Sequence, residues 1–391
     1  MNKKEIVLQI FTGGYLKKEA SYEEIENKLN AILEKVDVCK LIIGWAADQE
    51  LYRKVIRMLH SHQIEVFFWM PIFSETGFSK TTSLLKDFQG MNVENYQLKE
   101  GENFEFYCPN VKTNRDNVKK IYEEHFSNLG FDGVFLDKIR YASFSNRLTG
   151  VFSCFCPECI KRYHDKRVDI NRLRREMESL IQGKQGYDMN PFQCTSYCDG
   201  EYTFEDSVWE HFFQVKADFI YDALKDITDY FRAQGLKIGM DTFAPFMAYF
   251  VGQDLNRISE LADFIKPMMY RMTQAPAGLP FEYNSFLVQT TKEPIEDVRQ
   301  AFNRILKIEA DDTNLFDIDF VKRELEFMNH LKKPIYCGFE VNKIEEAASA
   351  DPEYIKETIE ALSQIDVKGY VLSWNILSAP KENLEAVYRC L

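Results

Sequence analysis

No stretch of this chain is both long and apolar enough to span a bilayer, which excludes a helical membrane protein at the outset. The opening segment MNKKEIVLQIFTGGY starts basic, but its apolar run is short, broken by Gln9, and lacks a small-residue cleavage site. It reads as a first strand rather than a secretion signal, and a cytoplasmic location follows as the default. A glycine-rich phosphate loop is missing as well: FTGGY offers only Gly13 and Gly14, without GxGxxG or GxxxxGK[ST] spacing, which weighs against nucleotide binding and an open doubly wound sheet. Histidine is scarce. Of six, His60, His62, His125, His211 and His330 fall on predicted helices or their ends, so a histidine-ligated hydrolase metal has no ligands. Ser/His/Asp catalysis lacks its GxSxG elbow. Basic charge is short too: 48 Lys and Arg against 61 Asp and Glu leave a net charge of −13, which excludes nucleic acid or an anionic membrane as the main partner.

What is present is ample apolar mass, 45% hydrophobic with 14% aromatic residues, enough for a full core in 391 residues. Short β-branched and aromatic runs alternate with amphipathic stretches, the pattern of a parallel sheet covered by helices. Eight strands are predicted: EIVLQIFTG from Glu5, KLIIGW from Lys40, IEVFFWMPI from Ile64, DGVFLDKI from Asp132, KIGMDTFAP from Lys237, DFIKPMMYR from Asp263, KPIYCGFEV from Lys333 and KGYVLSWNI from Lys368. The fold class is therefore α/β, a (β/α)8 TIM barrel spanning residues 1–391 as one domain, with a Cys-rich insertion at 143–203 between the fourth strand and its helix. The long connection from Phe73 to Asn110 is expected to form a lid or rim loop over the barrel mouth.

In such a barrel the last inward residues of several strands supply the chemistry. Three strands end in an acid: Asp137 after GVFL, Asp241 after KIGM and Glu340 after IYCGF. Each shares its inward phase with a glycine, Gly133, Gly239 or Gly338, which leaves room for a neighbouring side chain. Carboxyl groups facing one cavity can have their pKa values driven apart, which equips them for glycoside hydrolysis; the alternative is that they cap strand ends or pair with Arg140 and Lys266. Trp45, Trp69 and Trp374, with Tyr141 and Tyr270, supply faces that stack on sugar rings, while Arg140, Lys266, Asn375 and Gln253 offer hydrogen bonds to hydroxyls. Plain core packing is the alternative for any single aromatic.

FDGVFLDKIRY, CFCPEC, IGMDTFAP followed by GQD, DFIKPMMYR, YCGFE and GYVLSWN together resemble a group of bacterial glycoside hydrolase-like (β/α)8 proteins, from about Cys108 to the end of the chain. The fourth strand is also similar to that of the alpha-amylase clan, where an aspartate followed three residues later by a basic residue supplies the nucleophile. That resemblance implies Asp137 as nucleophile, with Arg140 as its expected partner. Strand five departs from the amylase pattern, carrying Asp241 without the glutamate context, so the proton donor is divided between Asp241 and Glu340.

Nine cysteines in a reducing compartment need an explanation other than disulfides. Cys154, Cys156 and Cys159 in CFCPEC, with Cys194 and Cys198 in CTSYC, suit a structural four-thiolate zinc site, with His164 as a substitute ligand; reduced buried cysteines are the alternative. No cofactor is expected for catalysis. The sequence thus points to a glycosidase acting on a small oligosaccharide or glycoside through two carboxylates. A non-catalytic carbohydrate-binding barrel and a transglycosidase are the alternatives, and the oligomeric state is left open.

Overall fold

Eight strands, β1 (Glu5–Phe11), β2 (Val38–Gly44), β3 (Glu65–Pro71), β4 (Gly133–Asp137), β5 (Lys237–Phe243), β6 (Phe264–Met268), β7 (Tyr336–Glu340) and β8 (Gly369–Ser373), close on one another in the order β1-β8-β7-β6-β5-β4-β3-β2. Every pairing is parallel, as the alternation with helices demands. This computed structural model describes residues 3–75, 82–97, 103–182, 194–290, 295–308 and 316–391. Runs such as Ile6-Val7-Leu8 and Leu41-Ile42-Ile43 are buried on both faces, one against the barrel interior and one against the helices.

Register sets the interior. Phe67 lies beside Gly133, Phe135 beside Gly239, and Phe264 on the other side of Gly239. A Cβ at Gly133 would stand 2.4 Å from the Phe67 ring, one at Gly239 2.3 Å from the Phe264 ring, and one at Gly338 2.5 Å from Lys266 Cε. Each glycine is the hole into which a neighbouring strand's long side chain fits, as the sequence pattern predicts. At the N-terminal end the same inward phase carries Glu5, Lys40, Glu65 and Lys237: Lys40 and Lys237 pair with Glu65, the first at 3.2 Å, and Lys368, just before β8, pairs with Glu5 at 2.7 Å.

Two excursions from the αβ repeat crown the opposite end. The connection after β3 is folded back on itself by the bridges Ser74 to Phe106 and Leu84 to Tyr107; its residues 76–81 and 98–102 lie outside the described set. The insertion at 143–203 carries the helices Arg147–Val151, Pro157–Asp165 and Ile170–Gln182 and a hairpin of Cys194–Cys198 with Glu201–Phe204, while 183–193 lie outside the described residues. Its apolar side chains join the barrel's buried cluster: Phe155 and Tyr163 pack on Phe212 and Phe219 of the long helix Ser207–Ala233. Among the described residues no helix is long and apolar enough to cross a membrane.

Candidate active site

A cavity, about 630 Å³ of space when its open mouth is included, lies at the C-terminal ends of the strands. Its floor and walls come from the last inward residues: Gln9 and Phe11 on β1, Trp69 on β3, Asp137 on β4, Asp241 and Phe243 on β5, and Met268 on β6. Trp45 and Trp374 follow β2 and β8, and Phe104 arrives from the long connection after β3. Trp45 and Trp69 meet edge to face at 5.0 Å, and Phe11 stands 4.9 Å from Trp45, so the aromatic wall is a packed unit.

Two acids face this cavity. Leu136 pairs in register with Met240, so Asp137 and Asp241 follow as next neighbours on adjacent strands, on the same face and about 5 Å apart at the backbone. Their surroundings differ. Asp137 receives the Trp69 indole N–H at 2.9 Å on Oδ2 and the Lys138 amide on Oδ1. Asp241, 2% exposed, receives Lys266 Nζ on Oδ2 at 2.8 Å, and its Oδ1 has no hydrogen-bond partner among the described residues. Burial pushes Asp241 up to about 7; Lys266 opposes that rise and neighbouring Asp137 adds to it. Lys266 is itself fully buried, also contacts the Tyr270 hydroxyl at 2.6 Å, and is not among the cavity's lining residues, so it lies against Asp241 beneath the cavity.

Glu340 does not join the pair. It is fully buried outside the cavity, its Oε1 accepting from Met272 N at 2.8 Å and Thr273 Oγ1 at 2.9 Å and its Oε2 from the Tyr354 hydroxyl. Burial raises its carboxyl as well, but its donors tie it to the turn after β6, whose Thr273 lines the cavity. Glu340, expected as a candidate proton donor, is thus placed apart from the Asp137–Asp241 pair and bonded to that turn. Arg140 is in the cavity with its guanidinium between the rings of Phe106 and Phe243, at 4.6 and 4.3 Å. Tyr141 is not: Lys138 takes a left-handed φ of 50°, the strand alternation ends at Asp137, and Tyr141 points instead toward Lys216, whose Nζ lies 4.7 Å from its ring. Asn375 is not among the cavity's lining residues; its Oδ1 accepts the amides of Phe11 and Leu377, both at 3.3 Å. Gln253 likewise accepts from the Phe243 amide outside the cavity.

Sequence reasoning missed Gln9, Lys138, Phe104 and Phe243. Gln9 had a signal: a lone polar residue at an inward position of an apolar strand. It is fully buried, and its Nε2, like the indole nitrogen of Trp45, has no partner among the described residues, leaving two donors at the cavity wall opposite the acids.

The cysteines regroup. Cys108, Cys154, Cys156 and Cys159 bring their sulfurs within 4.8 Å of one another, all buried. The expected ligands Cys194 and Cys198 sit instead on the hairpin, the first buried and the second exposed, outside that group. The fourth thiol, Cys108, comes from the connection before the helix Lys112–His125, far in sequence from CFCPEC.

No protein-family model and no curated protein matches the chain. The fold is similar to the PgaB (BpsB) glycoside hydrolase domain from Bordetella bronchiseptica, at a TM-score of 0.59 and 12% identity over 98% of each chain. It is also similar to alpha-L-fucosidase isoenzyme 2 from Paenibacillus thiaminolyticus, at a TM-score of 0.53 and 10% identity, covering all of this chain and 49% of that one. At these identities the likeness is one of fold, an eight-stranded parallel barrel shared with solved glycoside hydrolases.

Proposed function

We propose that the protein is a glycoside hydrolase acting on a small oligosaccharide or glycoside, with Asp137 as nucleophile and Asp241 as proton donor. The observation that carries this reading is the pair itself: two carboxyl groups at neighbouring register positions, facing one aromatic-walled cavity in unlike environments. Asp241, raised to about 7 with one oxygen unpartnered, suits protonation of the glycosidic oxygen as the leaving group departs. Asp137, oriented by Trp69 and the Lys138 amide, suits attack at the anomeric carbon from the opposite face. The nucleophile role is the one that the resemblance of the FDGVFLDKIRY segment to the alpha-amylase clan implies. On the retaining route Asp241 then acts as base toward the water that frees the glycosyl enzyme. The same reading assigns the four buried thiols a structural zinc and the protein to the cytoplasm, where thiols stay reduced.

The test is Asp137→Asn with an activated aryl glycoside, with and without azide. Turnover should fall by about 10³-fold or more while the fold persists, and azide should restore cleavage with a glycosyl azide of inverted configuration as product. Unchanged turnover in the variant rules out the assignment, and tight sugar binding without turnover in the native protein points to the binding-only barrel.

A further inference from the structure

We infer that a zinc ion held by Cys108, Cys154, Cys156 and Cys159 clamps the rim of the cavity, fixing the loop that brings Phe104 to the site. The inference rests on reading that cavity as the working site, and extends the zinc from a local staple to a device that shapes the substrate wall.

The donor set fits a single ion. Zn–S bonds of about 2.3 Å in a tetrahedron place sulfurs about 3.8 Å apart. Cys108 Sγ lies 3.4 Å from Cys159 Sγ and 3.5 Å from Cys156 Sγ, and every pair is within 4.8 Å. These separations are too long for a disulfide and leave no room for a multi-iron cluster. Two N–H donors already point at the sulfurs, as around metal thiolates: the Lys86 amide at 3.3 Å from Cys154 and Asn110 Nδ2 at 3.1 Å from Cys159.

The position of the ligands gives the ion its mechanical role. Cys108 ends the connection after β3, four residues beyond the cavity residue Phe104 and two beyond Phe106, which stacks on Arg140. The other three follow β4 and Asp137. Hydrogen bonds carry the constraint outward: the Cys108 amide donates to Ser83 O at 3.0 Å, the Phe155 amide to Lys86 O at 2.9 Å, and Asn146 Nδ2 to Phe104 O at 2.9 Å. The loop thus meets the strand-four side through the four sulfurs, these hydrogen bonds, the exposed Arg147–Glu94 ion pair, the Phe88–Phe152 ring contact and the cations Arg140 and Lys138 over Phe106 and Phe104, and of these the sulfurs alone offer a metal its bonds. Four metal–sulfur bonds convert that seam into a rigid one.

Metal analysis and hydrogen exchange on the full chain test this without reference to hydrolysis, so failure of the glycosidase reading and failure of the clamp are distinguishable. Zinc is the probe. The purified chain should hold one zinc, Cys194→Ser should keep it, and Cys108→Ser should lose it. When a chelator strips zinc from the native chain, amides in 82–97 and 103–110 should exchange faster by about tenfold or more while the eight barrel strands keep their protection. A chain that neither carries nor takes up zinc overturns the site, as does full zinc content in Cys108→Ser. Exchange unchanged on zinc removal, or lost across the whole barrel, overturns the clamp.

Discussion

Asp241 and Asp137 occupy equivalent positions on neighbouring strands, yet only Asp241 sits with a buried cation beneath it and an unpartnered oxygen. If Asp241 is the acid, kcat/KM falls as pH rises through about 7, because the group must hold its proton to donate it. Lys266 opposes the upward shift, so Lys266→Met should move that limb to higher pH. A pH–rate profile of the two proteins decides the matter, and coincident alkaline limbs would remove Asp241 from the role. In sequence, Asp241 and Glu340 look alike, each an acid at a strand end two residues beyond a glycine. What separates them is supplied from elsewhere: Tyr354 from the helix before β8, and Met272 and Thr273 from the turn after β6. No local pattern encodes those partners.

At the level of elements, all eight strands were legible, because short β-branched and aromatic runs alternate with amphipathic stretches, and three of them add an inward glycine and a terminal acid in the same phase. The glycines also make a quantitative claim. Gly239→Ala would place a methyl 2.3 Å from the Phe264 ring and 2.7 Å from Phe135, so thermal or urea unfolding should show a loss of about 1–3 kcal/mol. An unaffected midpoint would mean that the two rings move aside freely. Legibility gave out between Met272 and Lys332, where the helices Leu279–Thr290, Ile295–Leu306 and Ile318–Met328 follow one another with no strand between them among the described residues to mark the repeat. It gave out also for the fourth thiol, since proximity in sequence favoured Cys194 and Cys198 while the fold brings in Cys108 across the rim.

Across the whole molecule, charged groups gather at both ends of the barrel, around the cavity at one and in a cluster of ion pairs at the other. The end away from the cavity is closed by Glu5, Glu65, Lys40, Lys237 and Lys368. Burial alone would raise Glu65, but Lys237 and Lys40 overcome it and hold its carboxyl below the ordinary 4.5. A lowered carboxyl contributes stability that is present above that ordinary value and lost as pH falls through the lowered one. Melting temperature should therefore drop on acidification below about 4.5, and Glu65→Gln should flatten the drop while lowering stability at neutral pH. Parallel melting curves for the two proteins would show that the ring contributes nothing.

The interlocked glycines and rings have a further bearing on anyone who wishes to reshape this protein. Phe135 and Phe264 fill the layer directly beneath Asp137 and Asp241, and Gly239 is the slot that lets both rings in. The loops decide what can approach, but how far a guest can sink is written two residues lower, in the barrel itself. A library confined to the loops would retune selectivity at a fixed depth; trimming one of those two phenylalanines is the change that would excavate the floor.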